Sequence, residues 1–304
     1  MSGGLATRIA HQLEREVRSE VAEFARVLAQ DAGAMAALFY GSNLRTGSLE
    51  GVLDFYLLLP GKQRERIWPR VSYHEHDVAG MTLRAKVATM SLEQFARACR
   101  GESRDTTIWA RFVQPSTLVW LAGEPLVDTV VEEISHAART AARLAVALGP
   151  SEGAAEEYWR ALFRATYQAE FRVEKAGRED AILSANAAHF DGLLPLALEA
   201  ESIGFERRGE ILVPQMRDAE KRRIRAWWTP RRRIGKALNL LRLAKATTTF
   251  EGAARYAAWK VERHTGVAIE VTPFREKHPL LAAPGALIEV LRARRSVQAM
   301  PDQK

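Results

Sequence analysis

The sequence predicts an α+β protein, with an N-terminal mixed sheet and flanking helices followed by a mainly helical region. Two observations carry this prediction. Short apolar runs of strand length alternate with helical periodicity in the first part of the chain, and helical periodicity dominates the remainder. A chain of 304 residues is long enough for two cores. We therefore expect a first domain over 1–125 and a mainly helical domain over 126–304.

Composition and charge restrict the kind of protein that this sequence encodes. Hydrophobic residues make up 47% and charged residues 27%, which indicates a folded chain. The single cysteine, Cys99, excludes an internal disulfide and is typical of a reducing compartment. No apolar run approaches the roughly 20 residues that span a bilayer, so we expect a cytoplasmic or peripheral protein. The net charge of +7 favours an anionic partner.

The first elements are predicted from the spacing of apolar residues. Residues 5–30 have apolar side chains at helical spacing, and we expect one amphipathic helix that packs on the first sheet. Two short apolar runs, 36–40 and 52–59, are expected to be strands. The stretch from Leu38 to Pro60 is therefore predicted to be strand, turn, helix start and strand.

The turn between these strands carries the first chemical motif. Gly41 lets the backbone approach a phosphate, and the Ser42 hydroxyl and the following amides can bond to it. Asp54 interrupts the second apolar run, where a carboxylate is costly unless it is paired or binds a metal. Asp54 is therefore a candidate ligand for Mg²⁺ against that phosphate. This arrangement fits nucleotidyl transfer, although Gly-Ser turns and single strand aspartates also occur as plain structure.

A further strand and several helices are predicted downstream. Residues 81–90 should form a strand that contains Lys86, which either lies solvated at an edge or neutralises a triphosphate as a point charge. Ser91 is expected to cap a helix over 91–100. Helical periodicity then recurs over 127–148, 152–176 and 179–200.

The stretch from 216 to 260 is strongly basic. Eleven Lys or Arg residues lie between Arg217 and Lys245, interleaved with Trp227, Trp228 and several leucines. Three interpretations stay open. The stretch is an interfacial membrane segment with tryptophans at headgroup depth, a nucleic-acid grip with arginines on phosphates, or a helix with a solvated basic face.

The order of these motifs resembles the mitochondrial-type CDP-diacylglycerol synthase family, also called translocator assembly and maintenance proteins. The likeness covers roughly residues 36–195, with a fainter echo at 245–249. The segments that carry it are Tyr40-Gly41-Ser42, Leu53-Asp54-Phe55, the strand with Arg84 and Lys86, Arg111-Phe112-Val113-Gln114-Pro115, Tyr167-Gln168-Ala169-Glu170-Phe171-Arg172 and Asn186-Ala187-Ala188-His189-Phe190.

The resemblance implies a nucleotidyltransferase-like sheet domain and a reaction in which CTP and phosphatidate give CDP-diacylglycerol and pyrophosphate. It implies that Asp54 and Glu170 hold Mg²⁺, and that Lys86 and Arg111 offset charge on the pyrophosphate. Tyr40, Gly41, Ser42 and Arg111 would then bind the nucleotide, while Arg172 and Asn186 would meet the lipid phosphate. The basic stretch would bring the protein to an anionic membrane surface, as a peripheral protein on its inner face.

Departures from the expected patterns keep alternatives open. Gln114 stands where the family has lysine, and Asn43 replaces a usual glycine. Tyr56 occupies the second acid position of the familiar nucleotidyltransferase pattern, which is Asp-x-Asp or Asp-x-Glu. A different acceptor, either a small metabolite or an RNA end, is one alternative. A degenerate fold that is retained for nucleotide binding or for scaffolding at a membrane is the other.

Overall fold

The computed structural model describes residues 3–65, 67–78, 80–169, 177–249 and 252–277. The strands are β1 (Ala36–Tyr40), β2 (Leu53–Leu59), β3 (Arg70–Val78), β4 (Met81–Ser91), β5 (Ser116–Leu121), β6 (Gly153–Ala154), β7 (Phe205–Arg208) and β8 (Ile211–Pro214). The helices are α1 (Gly3–Leu13), α2 (Ser19–Asp31), α3 (Ser42–Thr46), α4 (Leu92–Cys99), α5 (Thr107–Phe112), α6 (Leu126–Leu148), α7 (Ala155–Ala169), α8 (Arg178–Ala185), α9 (Ala187–Phe190), α10 (Leu193–Ala200), α11 (Asp218–Thr249), α12 (Ala253–Thr265) and α13 (Pro273–Lys277).

Five strands form one mixed sheet in the order β3-β4-β2-β1-β5. β2 and β4 are parallel, whereas the other neighbouring pairs are antiparallel. The strands predicted at 36–40, 52–59 and 81–90 are its three central members, and the predicted α+β class is confirmed. A second sheet, β6-β8-β7, lies within the mainly helical part, where the periodicity predicts helices alone.

The two faces of the five-stranded sheet are buried against different helices, because side chains alternate along each strand. Phe39 and Phe55 share a core with Phe24 of α2, and the ring centroids of Phe24 and Phe55 lie 6.1 Å apart. Leu38 and Tyr56 point to the opposite face and belong to the larger core that the helical part fills. The helical part therefore covers one face of the sheet and α2 covers the other.

The N-terminal segment forms two helices, so the prediction of one helix over 5–30 is wrong. α1 belongs to the larger core and α2 to the smaller one, on opposite faces of the sheet. The chain crosses the sheet edge at β5, where the Thr117 hydroxyl oxygen lies 2.8 Å from the carbonyl oxygens of both Leu13 and Arg15. A single straight helix cannot pack on both faces, which is the physical reason for the break.

The helices of the second part differ in how well they follow the periodicity. The predicted helix over 127–148 is confirmed as α6, and the one over 152–176 corresponds to α7, with the residues from 170 to 176 outside those described. The prediction of one helix over 179–200 is wrong. The chain forms α8, α9 and α10, with interruptions at Asn186 and at Gly192, where φ is 68°.

One core joins the sheet to the helical part. Ile134 and Ala141 of α6 belong to the same buried cluster as Leu38 of β1 and Tyr158 of α7, so this cluster spans the boundary predicted near residue 125. The alanines along α6 let neighbouring helices approach closely, and α1, α5, α7, α10 and α11 all pack on it. The sheet and the helices that come from distant parts of the chain are therefore held together by continuous packing.

α11 places its two tryptophans inside the protein. Trp228 is 4% exposed, and the Trp227 indole N–H donates to the Gly101 carbonyl oxygen at 3.2 Å. Both rings pack beside Trp109, so the expectation that they lie at headgroup depth is wrong. The exposed face of the same helix carries Arg222, Arg223, Arg232, Arg233, Lys236, Leu240 and Leu241.

Within the described ranges, no single helix is long and apolar enough to cross a membrane. One bent pair, Glu179–Ala185 with Ala187–Ala200, has the length and composition of a span, but its two parts meet at 85°.

Candidate active site

A pocket of about 390 Å³ opens where β1, β2 and β4 meet the helical part. Its lining residues are Tyr40, Gly41, Ser42, Arg45, Asp54, Lys86, Thr107, Ala110, Arg111, Gln114, Pro115, Phe163, Thr166, Tyr167, Ile182 and Asn186. The fold therefore brings together Tyr40, Gly41, Ser42, Asp54, Lys86, Arg111 and Asn186 of the residues predicted from the sequence. Glu170 and Arg172 lie outside the described residues.

Three of these residues are neighbours across three adjacent strands. Tyr40 of β1 is in register with Asp54 of β2, and Asp54 is in register with Lys86 of β4. Residues paired in this way project from the same face of a sheet. The strand pairing alone therefore places the Asp54 carboxylate beside the Lys86 ammonium group, at the margin of the sheet face that the helical part covers.

Gly41 and Asp54 form the floor of the pocket. Gly41 adopts φ 91° and ψ −164°, a conformation that is essentially restricted to glycine. The absence of a side chain also leaves room for Asp54, whose Oδ2 would lie 2.9 Å from a Cβ at position 41. Asn43, which departs from the family pattern, donates to the carbonyl oxygens of Ser48 at 2.9 Å and Glu50 at 2.8 Å. It thereby holds the loop that leads into β2.

The charged groups of the pocket perturb one another. Burial raises the pKa of Asp54 above its ordinary value, and the positive charges of Lys86 and Arg111 oppose that rise only in part. Partial desolvation lowers the pKa of Lys86, whose side chain keeps contact with solvent; Asp54 opposes this decrease, whereas Arg111 and Lys260 add to it. A pocket that shifts the pKa values of its ionisable groups in this way favours a polyanionic ligand, or a cation that balances the negative charge present there.

Two arginines add positive charge from short helices. Arg111 is in the last turn of α5, and its guanidinium carbon lies 4.9 Å from the centre of the Tyr40 ring. This cation–π contact orients the arginine at the pocket wall. Arg45 lies in the last turn of α3, one turn after Ser42. With Lys86, these side chains give the pocket three cations, and among the described lining residues Asp54 is the one carboxylate.

The second acid position of the strand is not available as a metal ligand. Tyr56 is 3% exposed, and its ring centroid lies 5.3 Å from that of Phe112 and 5.8 Å from that of Tyr40. In the part of the chain that the structure describes, no cluster of three or more His, Cys, Asp or Glu side chains could hold a metal. Mg²⁺ is commonly bound by one or two carboxylates together with substrate phosphates and waters. Asp54 fits that minimal role.

Asn186 lies at a helix junction and not on the face of a continuous helix. It follows α8 and precedes α9, and its side-chain amide donates to the Ile182 carbonyl oxygen at 2.9 Å. His189 has a different partner, because its Nε2 lies 2.8 Å from the Val113 carbonyl oxygen. That contact ties α9 to the segment between α5 and β5, which carries Gln114.

Some pocket residues were missed by reasoning from the sequence. Arg45 could have been found, because a Ser42-x-x-Arg45 spacing places both side chains on one side of a helix that begins after the turn. Phe163 and Ile182 lack such a signal, since apolar residues at helical spacing are expected in any core. They reach the pocket only because α7 and α8 fold back over the sheet.

Comparison with known proteins adds no relative. No protein-family model matches this sequence, and no curated protein is significantly similar to it.

Proposed function

We propose that this protein is a Mg²⁺-dependent nucleotidyltransferase that transfers CMP from CTP to phosphatidate and releases pyrophosphate. One observation carries the proposal. A single pocket combines the glycine-backed carboxylate of Asp54 with the cations Arg45, Lys86 and Arg111. Such a charge distribution suits a triphosphate, whose negative charge exceeds what one or two cations neutralise.

The reaction needs little proton transfer. A phosphate oxygen of the acceptor attacks the α-phosphorus of CTP, the bond from that phosphorus to the bridging oxygen breaks, and pyrophosphate leaves. Because the attacking group is already anionic, the main barrier is repulsion between negative charges. Lys86, Arg111 and Arg45 act by offsetting that charge, while Ser42 donates its hydroxyl to a phosphate oxygen. Tyr40 keeps Arg111 in position.

A metal ion fits the proposal through Asp54. Mg²⁺ bound there with the phosphates would neutralise charge that develops on the leaving pyrophosphate. Under the resemblance, Glu170 is the second carboxylate and Arg172 meets the acceptor phosphate. Ionised Asp54 is the state that this role requires, and the neighbouring Lys86 and Arg111 favour that state.

The exposed face of α11 supports a lipid as the acceptor of the transferred CMP. Arg222, Arg223, Arg232, Arg233 and Lys236 are exposed on α11, and Leu240 and Leu241 are 48% and 52% exposed at the same helix. Basic side chains beside exposed leucines suit an anionic lipid surface, where leucines enter the interface and cations remain at the headgroups. We propose that this face brings the protein peripherally to the inner face of a membrane.

The test is a direct search for the product. The full chain is incubated with labelled CTP, Mg²⁺ and mixed micelles that contain phosphatidate, and a CDP-lipid is the expected product. Asp54→Asn, which keeps the shape of the side chain, should abolish transfer. A protein that binds CTP without making a CDP-lipid would direct the search to RNA ends and small metabolites. Transfer that is unchanged in Asp54→Asn would reject the assigned site.

A second candidate function is nucleotide binding without turnover, and the observation that favours it is Tyr56. The second acid position is filled by a buried aromatic ring, which removes a ligand that many nucleotidyltransferases use. Under this alternative the protein binds CTP and vesicles but converts no acceptor. Equilibrium binding of CTP, together with the absence of product from every acceptor tested, would support it.

A further inference from the structure

We infer that Gln114 and Asn186 select the base of the nucleotide, by accepting hydrogen bonds from an exocyclic amino group such as the one that cytosine carries and uracil lacks. The inference rests on the proposed nucleotide site and adds its base specificity. The role differs from the phosphate contact that the resemblance implies for Asn186. It also uses Gln114 at the position where the family has lysine.

Both side-chain amides are held in a fixed orientation. Gln114 Nε2 donates to the Ala110 carbonyl oxygen at 2.9 Å, and Asn186 Nδ2 donates to the Ile182 carbonyl oxygen at 2.9 Å. A backbone carbonyl only accepts hydrogen bonds, so the amide nitrogen of each side chain must face it. Each carboxamide oxygen is consequently directed away from the helix end that its nitrogen caps.

Both carboxamide oxygens are available to accept a hydrogen bond from a ligand. Among the described residues, neither carboxamide oxygen accepts a hydrogen bond, and neither is one of the side-chain atoms sealed from solvent without a partner. Both side chains line the pocket. An acceptor that is held in place and reachable from a pocket is suited to a donor on the ligand.

The amides of Gln114 and Asn186 belong to segments that contact each other. His189, three residues after Asn186, has its Nε2 2.8 Å from the carbonyl oxygen of Val113, the residue before Gln114. Phe163 and Ile182 line the same pocket and supply apolar surface. The wall made by α7, α8 and the segment after α5 therefore combines these apolar side chains and the polar Thr166 and Tyr167 with two oriented acceptors, which suits a base. The cations come from α3, β4 and α5 and suit the phosphates.

The chemistry of the bases then decides the preference. Cytosine presents an N4 amino donor where uracil presents a carbonyl oxygen. An oxygen of uracil would face the oxygens of the two amides and leave them unpaired, which a site built for a donor rejects. CTP and UTP carry the same sugar and triphosphate, so a comparison of the two isolates this group.

The experiment measures equilibrium binding of CTP and UTP to the full chain at fixed Mg²⁺ by calorimetric titration. We expect the wild-type protein to bind CTP about tenfold more tightly, as one or two net hydrogen bonds would give. Gln114→Met and Asn186→Leu are similar in size to the native residues and lack the acceptor. Each should weaken CTP binding by about three- to tenfold and leave UTP binding within about twofold.

Arg45→Gln is the matched control, because it should weaken both nucleotides by the same factor. Equal affinities of the wild-type protein for CTP and UTP would overturn the inference. A loss of affinity in Gln114→Met and Asn186→Leu that is equal for the two nucleotides would overturn it as well. The wild-type comparison decides the question even if Asn186→Leu fails to fold.

The outcome is distinguishable from failure of the proposed function. A preference for CTP without a CDP-lipid product supports this inference and rejects phosphatidate as the acceptor. Equal formation of CDP-lipid and UDP-lipid supports the transferase and overturns this inference. Absence of binding by any nucleotide overturns both.

Discussion

Gly41 and Asp54 are complementary in shape, since a Cβ atom on Gly41 would lie 2.9 Å from Asp54 Oδ2. Gly41 directly follows β1, in which Tyr40 is in register with Asp54 of the neighbouring strand β2. The missing side chain at position 41 therefore serves two purposes. It permits the left-handed backbone of the turn, and it leaves the carboxylate accessible at the bottom of the pocket.

Gly41→Ala should therefore lose transfer activity as well as stability. We expect a loss of about 1–3 kcal/mol in the free energy of unfolding from backbone strain, and a loss of transfer because Asp54 is displaced. Gly47→Ala is the matched control. Gly47 also has a positive φ, of 68°, but among the described residues no atom beyond its own chain neighbours lies within 4 Å of a Cβ there, so this variant should lose stability alone. Denaturant unfolding and transfer assays on both variants separate the two effects, and normal transfer in Gly41→Ala would contradict the assigned geometry.

The acid limb of the pH–rate profile should report on Asp54. Burial raises the pKa of this carboxyl above its ordinary value of 3.8, and Lys86 lowers it. Because transfer requires the ionised carboxylate, kcat/KM should decrease with falling pH at a higher pH than an ordinary aspartate would give. Lys86→Met removes the favourable positive charge, so its acid limb should move to still higher pH. A limb that stays in place, or that moves to lower pH, would show that Asp54 and Lys86 are not coupled during turnover.

His189 should make the fold sensitive to acid. Burial lowers the pKa of His189 from 6.5 to about 4, although the bond to the Val113 carbonyl opposes the decrease. The unfolded chain takes up a proton near pH 6.5, whereas the native protein takes it up only near pH 4. The free energy of unfolding should therefore decrease as the pH falls through this window, by up to about 3 kcal/mol.

His189→Gln keeps a donor for Val113 and has no such titration. The difference in stability between the wild-type protein and this variant should depend on pH between about 6.5 and 4 and be constant above it. Urea unfolding at several pH values measures this difference. A difference that does not change with pH would mean that His189 has the same pKa in the native and the unfolded protein, as an exposed side chain would.

Arg242 should stabilise the junction between α11 and α5. Its Nη1 and Nη2 donate to the two carboxylate oxygens of Asp105, at 3.0 and 2.6 Å, and Asp105 Oδ1 accepts from the Thr107 backbone N–H at the start of α5. Arg242→Met leaves a buried carboxylate without this partner, so we expect a loss of about 3–5 kcal/mol. Arg233→Met removes the same charge from an exposed position and should cost less than about 0.5 kcal/mol. Thermal and urea unfolding of both variants compare the two positions, and equal losses would contradict the ion pair.

The exposed face of α11 should decide vesicle binding. Replacing Arg232 and Arg233 together by glutamine should weaken binding to anionic vesicles by roughly tenfold or more, since each cation near such a surface contributes about 1 kcal/mol. The charge-matched control replaces Arg207 and Arg208, which are exposed on β7, and should leave binding nearly unchanged. Flotation of both variants at low and high salt is the measurement. Equal losses would reduce the role of α11 to net charge alone.

Much of the fold follows from local pattern. The alternation of apolar runs and helical periodicity predicts the central strands, α6 and the Ser91 cap of α4, whose Oγ accepts from the Gln94 backbone N–H at 3.1 Å. The motif residues are also recognisable. Ser42 follows a glycine at the end of an apolar run, and Asp54 and Lys86 are ionisable groups inside strands, where they are costly unless they are paired or bind a ligand. These features depend on spacing and chemistry that the chain carries in itself.

Other features depend on contacts between distant residues. The break between α1 and α2 follows from the need to cover opposite faces of the sheet, and the burial of Trp227 and Trp228 follows from the position of α11 beside Trp109. Neither feature can be predicted from the local spacing of apolar residues. By itself, the sequence determined the three central strands, the helical part and the site residues Asp54, Lys86 and Arg111. Only the tertiary structure decided that Gln114 and Asn186 share the pocket with Asp54, since residues so far apart meet through packing and not through periodicity.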